Sequence, residues 1–304
     1  MGINTNNYNI YPPLYNNSIL PNQVPANFGA GQLPQDIFMK TNSNKSPEMV
    51  EFERLFPNGE LYNIFNDIVK EFGIECPPQL EFVNEKDSDY AYAMHMTNKL
   101  NLNVANLSTK NMYKVLLEKN GSKYYDYDDT AKNIRILITD DKELMNGITE
   151  YYKKKEGVDN CTFVPLTDDD KRKLIIKSLA HELEHFYQNQ IIRHTEGLDE
   201  FEMMEKRLKN RSDYKPSPNY IDEKLKFLKL KKAYMDSHKS FDMEKRYSQS
   251  SPEGKKALEW YNATVNYIDY KKDYDNYLLN SIESDANERA HQYLTTHYGD
   301  FAKA

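Results

Sequence analysis

The chain has very little cysteine: Cys76 and Cys161 are the only two in 304 residues. Two thiols cannot build a disulfide scaffold, and their separation excludes a CxxC metal site. They read as free thiols in a reducing compartment. Positive charge is not in excess either, because 40 Lys and Arg face 47 Asp and Glu for a net charge of -7. A net-acidic chain is not expected to bind nucleic acid through its phosphates. No stretch approaches the roughly 18 consecutive apolar residues of a membrane-spanning helix, and mean hydropathy is -0.85. The first residues lack a basic stretch followed by an apolar run, so no standard signal peptide is expected. These absences leave a cytoplasmic or phage-particle-associated chain, with neither a membrane nor nucleic acid as partner. Tyrosine, by contrast, is abundant at 24, and this reads as compositional background.

Residues 1–46 carry Pro12, Pro13, Pro21, Pro25 and Pro34 and almost no charge. They lack sustained helical or strand periodicity and cannot bury enough apolar surface to offset ordering. They read as an irregular N-terminal arm, a candidate docking segment for a partner. Ser46-Pro47 suits an N-cap and first helical position, so the folded domain is expected over 47–304. Phe52 to Phe72 recurs at helical spacing, broken by Pro57-Asn58-Gly59. A short strand is expected at Leu80–Val83 and a hairpin from Tyr90 to Leu107 turning at Thr97-Asn98-Lys99. Helices are expected at Asn111–Lys119 and Asp141–Lys155, with a strand between them at Ile134–Ile138. From Thr167 onward the pattern is mostly helical, with further helices at Asp199–Leu208, Tyr220–Asp236, Pro252–Asp273 and Asn276–Tyr298. Strands early and helices late predict an α+β fold: a small N-terminal mixed β-sheet with helices, and a mostly helical C-terminal half.

The chemistry is concentrated in His181-Glu182-Leu183-Glu184-His185. On a helix, residues i and i+4 lie on one face, so both imidazoles can reach one cation. Glu182, about 100° further round, can stand beside the metal and accept a proton from its bound water. The bland alternative is two packed histidines beside a solvated carboxylate. A catalytic zinc takes three protein ligands and one water. Ile191 and Gln188 stand where an HExxHxxGxxH site needs His and Gly, so that arrangement is excluded. His194 falls on the far side of a continuous helix, as a surface residue or dipole partner. Glu283, in Glu283-Ser284-Asp285-Ala286-Asn287, can approach from a separate helix. Asn287, one turn later, could fix a ligand imidazole, and Ala286 and Ala290 permit close packing. Asp199, Glu200 and Glu202 are rival third ligands.

The segment Ser178 to Tyr187 resembles the active-site helix of zincin metallopeptidases. Glu283-Ser284-Asp285-Ala286-Asn287 is similar to the second signature of their gluzincin branch, and the hairpin at 90–107 is similar to their substrate-binding edge strand. The resemblance covers about a quarter of the chain. It departs at Glu184, which is charged, and in the long separation of the ligand helices, which makes 198–275 a helical insertion. It implies a zincin-like fold, one Zn2+ held by His181, His185 and Glu283, and hydrolysis of peptide bonds in a protein or peptide substrate with Glu182 activating a zinc-bound water. It also implies an oxyanion donor, for which His291 and Tyr293 are the candidates. His95 reads as substrate-facing or exposed, and His238 and His297 show no partner. Two other functions fit the same residues: a non-catalytic structural or virion-associated protein keeping a zincin fold, or a metal amidase acting on cell-wall material.

Overall fold

The computed structural model describes residues 46–84, 91–105, 111–139, 141–210, 219–267 and 273–299; the side chain of Tyr92 is not described. The arm, Ser46 excepted, therefore lies outside the described residues, as do Tyr90, Asn106 and Leu107 of the expected hairpin. Helix α1 (Pro47–Leu55) begins as its sequence requires: the Ser46 hydroxyl accepts the Met49 N–H, and Pro47 fills the position where a missing N–H costs nothing. Asn58 and Gly59, both at positive φ, turn the chain into α2 (Glu60–Phe72). Leu61, Ile64, Phe65, Ile68 and Phe72 form its buried stripe, and Gly73 ends it in the left-handed conformation.

Strands β1 (Gln79–Val83), β2 (Ala91–Met94) and β3 (Lys99–Asn103) form the first sheet. β3 is central, parallel to β1 and antiparallel to β2, so the expected hairpin is present as β2 and β3. It turns through a 3-10 segment, His95–Thr97, and Asn98 at φ 50°. The remaining strands are β4 (Met112–Lys119), β5 (Ser122–Tyr125), the short pair β6 (Tyr127–Asp128) and β7 (Asn133–Ile134), β8 (Ile136–Ile138) and β9 (Asn160–Pro165). The sequence reading of Asn111–Lys119 as a helix is corrected here. Met112, Val115 and Leu116 happen to fall at helical spacing, but β4 is the centre of a sheet. β9 lies along one of its edges, while β5 and β8 share the other. Asn120-Gly121, both at positive φ, form the hairpin turn into β5. The strand β9 was not anticipated. Helix α3 (Lys142–Glu156) agrees with expectation, and its N-cap Asp141 accepts from Glu143 and Leu144.

The C-terminal part is helical: α4 (Asp168–Arg193), α5 (Glu200–Asn210), α6 (Tyr220–Ser237), α7 (Pro252–Val265), α8 (Tyr274–Leu278) and α9 (Ser281–Tyr298). The expected helix Pro252–Asp273 stops at Val265, capped by Asn266, and 268–272 lie outside the described residues. The expected helix Asn276–Tyr298 is two helices, because the Asn280 side chain accepts the Ile282 N–H and starts α9 afresh. α4 runs through the middle of the fold, packing on α9, α7, α2 and β2. Its residues Ile176, Leu179, Ala180 and Leu183 are fully buried in the largest core cluster, with α1, α2, the first sheet and the end of α9. At roughly 1.5–3 kcal/mol per buried aliphatic side chain, that packing fixes α4 rigidly. A smaller cluster joins the end of α4 to α5 and α7. The α+β class is as expected, and among the described residues no helix is long and apolar enough to cross a membrane.

Candidate metal centre

Helix α4 is secured at its N-terminus by a capping box. The Thr167 hydroxyl accepts the Asp170 N–H, and the Asp170 carboxylate accepts the Thr167 N–H. Asp170 also pairs with Lys114 of β4 at 2.9 Å, so the helix is tied to the second sheet. Three turns further on, His181 and His185 turn their Nε2 atoms toward each other, 3.2 Å apart. Glu283, in the first turn of α9, brings Oε2 to 3.3 Å from His181 Nε2 and 3.7 Å from His185 Nε2. All three residues are buried, and their ligating atoms lie within 4.8 Å of one another.

The donor set and its spacing fit a metal ion. Tetrahedral bonds of about 2.0–2.1 Å place neighbouring ligand atoms about 3.3 Å apart, against 3.2, 3.3 and 3.7 Å here. The tautomer of His185 fits as well. Gln188 Nε2 donates to the Ile282 carbonyl, which turns Gln188 Oε1 toward His185. His185 Nδ1–H then donates to that oxygen at 2.8 Å, so its Nε2 presents a lone pair to the centre. His185 Nε2 and Glu283 Oε2 therefore converge as acceptors beside His181 Nε2, with Tyr277 donating to Oε2, and a cation at the centre would satisfy the two nitrogens and the carboxylate together. A proton is one such cation. Burial opposes charge on His185, but the Glu283 carboxylate outweighs it and pushes the pKa up to about 9. Burial likewise would raise Glu283, yet the two imidazoles hold it well below the usual carboxylate range. Burial keeps His181 below the ordinary imidazole value.

Glu182 is 1% exposed, and its Oε2 accepts the Ala93 N–H of edge strand β2 at 2.9 Å. The Glu182 carboxylate thus lies between α4 and the edge of β2. Glu184 makes a 2.6 Å ion pair with Arg289 of α9, whose guanidinium also lies over Phe72 and Tyr187. The unusual charge inside the motif is therefore neutralised across the α4–α9 contact. Ala286 and Ala290, both at 0% exposure, let the two helices approach closely.

A cavity beside the cluster is lined by His185, Glu283, His95, Asn189, Arg207 and Tyr267, among others, with about 20 Å³ open to water centres. That is room for one or two ordered waters. A larger surface groove between α5 and α6 shares no lining residue with it and holds no ligand set.

His95 reaches this cavity, where Asn189 Nδ2 donates to its Nδ1 at 2.8 Å and burial holds its pKa well down. His291 is not brought to the cluster. Eight residues of helix rise, about 12 Å, separate it from Glu283, and its ring lies 6.5 Å from Tyr127. Tyr293 packs into the core against Phe72. Asn287 is buried, but the partner of His185 is Gln188. Of the two readings of His194, the surface one is corrected: it sits at the C-terminal end of α4, is 2% exposed, bonds to the Glu244 carbonyl and faces Glu75. His238 stacks on Tyr234, and His297 pairs with Glu71. The rival ligands lie elsewhere. Glu200 pairs with Arg193 at 2.7 Å, Asp199 caps α5 and Glu202 pairs with Lys206.

Three residues at the site were missed. Tyr267 donates to Glu283 Oε1 at 3.0 Å, and Tyr277 donates to Glu283 Oε2 at 2.8 Å. Nothing distinguishes them among 24 tyrosines. Gln188 was legible in principle, three residues after His185 on the same helix face.

No family model, curated protein or solved structure matches this chain. Functional conclusions therefore rest on the geometry of the site.

Proposed function

We propose that the chain is a zinc-dependent metallopeptidase with a zincin-like fold. The observation that carries this reading is the buried convergence of His181 Nε2, His185 Nε2 and Glu283 Oε2, with Glu182 on the same turn of α4. Zinc, when bound, supplies a Lewis acid that lowers the pKa of a coordinated water and polarises a carbonyl. The chain's own residues do the rest. His181, His185 and Glu283 would hold the cation. Gln188 fixes the tautomer of His185. Glu182, oriented by the Ala93 N–H, would serve as the base that accepts a proton from water and passes it to the leaving amine. β2 offers backbone groups at a sheet edge, which suits an extended peptide.

One observation favours a second reading. The cavity beside His185 and Glu283 is small, and Glu182 is not among the residues that line it, which suits a non-catalytic protein retaining the metal. One experiment separates the two. Purified protein is expected to carry about one zinc per chain, and Glu182→Gln to keep that zinc while losing peptide hydrolysis by several orders of magnitude. A wild-type protein that carries zinc but cleaves no peptide in an unbiased library supports the second reading. A protein that takes up no zinc refutes both.

A further inference from the structure

Glu283 is held by more than its place on α9. Its two oxygens are gripped separately. Tyr277 donates to Oε2 at 2.8 Å, on the oxygen that faces both imidazoles. Tyr267 donates to Oε1 at 3.0 Å, on the oxygen turned away from them. The Tyr277 side chain is fully buried, and its ring meets that of Tyr267 edge-on at 5.8 Å. Tyr267 lies between Glu283 and the guanidinium of Arg207, which sits 3.9 Å over its ring. Neither hydroxyl can move far without breaking these contacts.

A carboxylate can bind a cation through one oxygen or through both, and the choice sets how many positions are left. Two-oxygen binding would bring the cluster to four protein ligand atoms, so that a bound water would be a fifth ligand instead of the fourth. Turning Oε1 toward the cation would break its bond to Tyr267.

From this arrangement, and resting on the metal reading above, we infer that Tyr267 and Tyr277 are positioning residues with different tasks. Tyr267 anchors Oε1 so that Glu283 binds through Oε2 alone and one coordination position stays open. Tyr277 aims Oε2 at the cation. Neither residue needs to touch a substrate for this.

The test uses the metal alone. Full-length wild type, Tyr267→Phe and Tyr277→Phe are loaded with Co2+, whose visible bands weaken when a fourth ligand atom from the protein raises its coordination from four to five. Zinc affinity is measured in parallel by competition with a chromophoric chelator. Tyr267→Phe is expected to weaken the cobalt bands while zinc affinity stays within about tenfold of wild type. Tyr277→Phe is expected to keep the band intensity and lose about ten- to a hundredfold in zinc affinity. Cobalt bands in Tyr267→Phe identical to wild type would overturn the inference, even if Tyr277→Phe proves too poorly folded to measure. A loaded wild type with unaffected variants refutes only this inference. A wild type that takes up neither metal refutes the metal reading with it.

Discussion

Lys177 offers a sharp test of how α4 is built. It lies one turn before His181, is 5% exposed, and donates through Nζ to the carbonyls of Ala131 and Lys132. Burial pushes its pKa down to about 7, against an ordinary 10.5. The sign follows from proton counting. Between those two values the unfolded chain binds a proton that the native chain does not, so stability rises with pH across the window. The contribution is fully present above pH 10.5 and is lost as pH falls toward 7, where the cost reaches about 5 kcal/mol. Lys177→Met removes this proton linkage but leaves two buried carbonyls without a donor, at about 1–3 kcal/mol each. The two effects nearly offset at neutral pH, so a single stability value decides little. The pH dependence decides more. Between pH 7.5 and 9.5 wild type should gain about 2.5 kcal/mol that Lys177→Met does not. Urea unfolding of the metal-free proteins at both pH values measures this directly. Equal pH dependence in the two proteins would refute the account of Lys177 as a buried, largely neutral amine.

Glu283→Ala should collapse zinc binding, whereas Glu200→Ala should leave it intact and cost about 3–5 kcal/mol of stability, because Arg193 is left buried without its partner. Zinc titration and urea unfolding of the two variants separate a metal ligand from a structural carboxylate. Thr167→Ala should cost about 1 kcal/mol by removing the α4 cap, and an unchanged unfolding midpoint would count against the capping box. Deleting residues 1–44 should leave the melting temperature nearly unchanged, since the segment has little apolar surface to contribute; a large drop would show that it packs on the domain.

Much of the centre was legible because it is local. The spacing of His181, Glu182 and His185 needs only a helix, and Thr167-Asp168-Asp169-Asp170 announces where that helix starts. Glu283 was legible for another reason, as an acidic residue on a separate expected helix with small Ala286 and Ala290 further along it. The strand β4 was misread because its apolar residues match a helical period over one turn, while the partners that make it a strand come from residues 122–138 and 160–165. No local pattern records those pairings. The Asn120-Gly121 turn did carry a hairpin signal. Gln188 and the two tyrosines work through contacts with Ile282 and Glu283, which become neighbours of α4 or of each other only when the chain has folded.

The ion pair between Glu184 and Arg289 also bears on how the site is filled. Glu283 and Arg289 lie six residues apart on α9, and each meets its own counterpart on α4. Sliding α9 by one helical turn, about 5.4 Å, would break both meetings at once. The two helices thus share a single axial registration, set by an interaction that involves no ligating atom. Unlike small zinc domains, whose chains become ordered around the ion, this chain should present its three donors in place before any ion arrives. Uptake would then be a simple bimolecular capture, first order in free zinc and without a slow ordering phase.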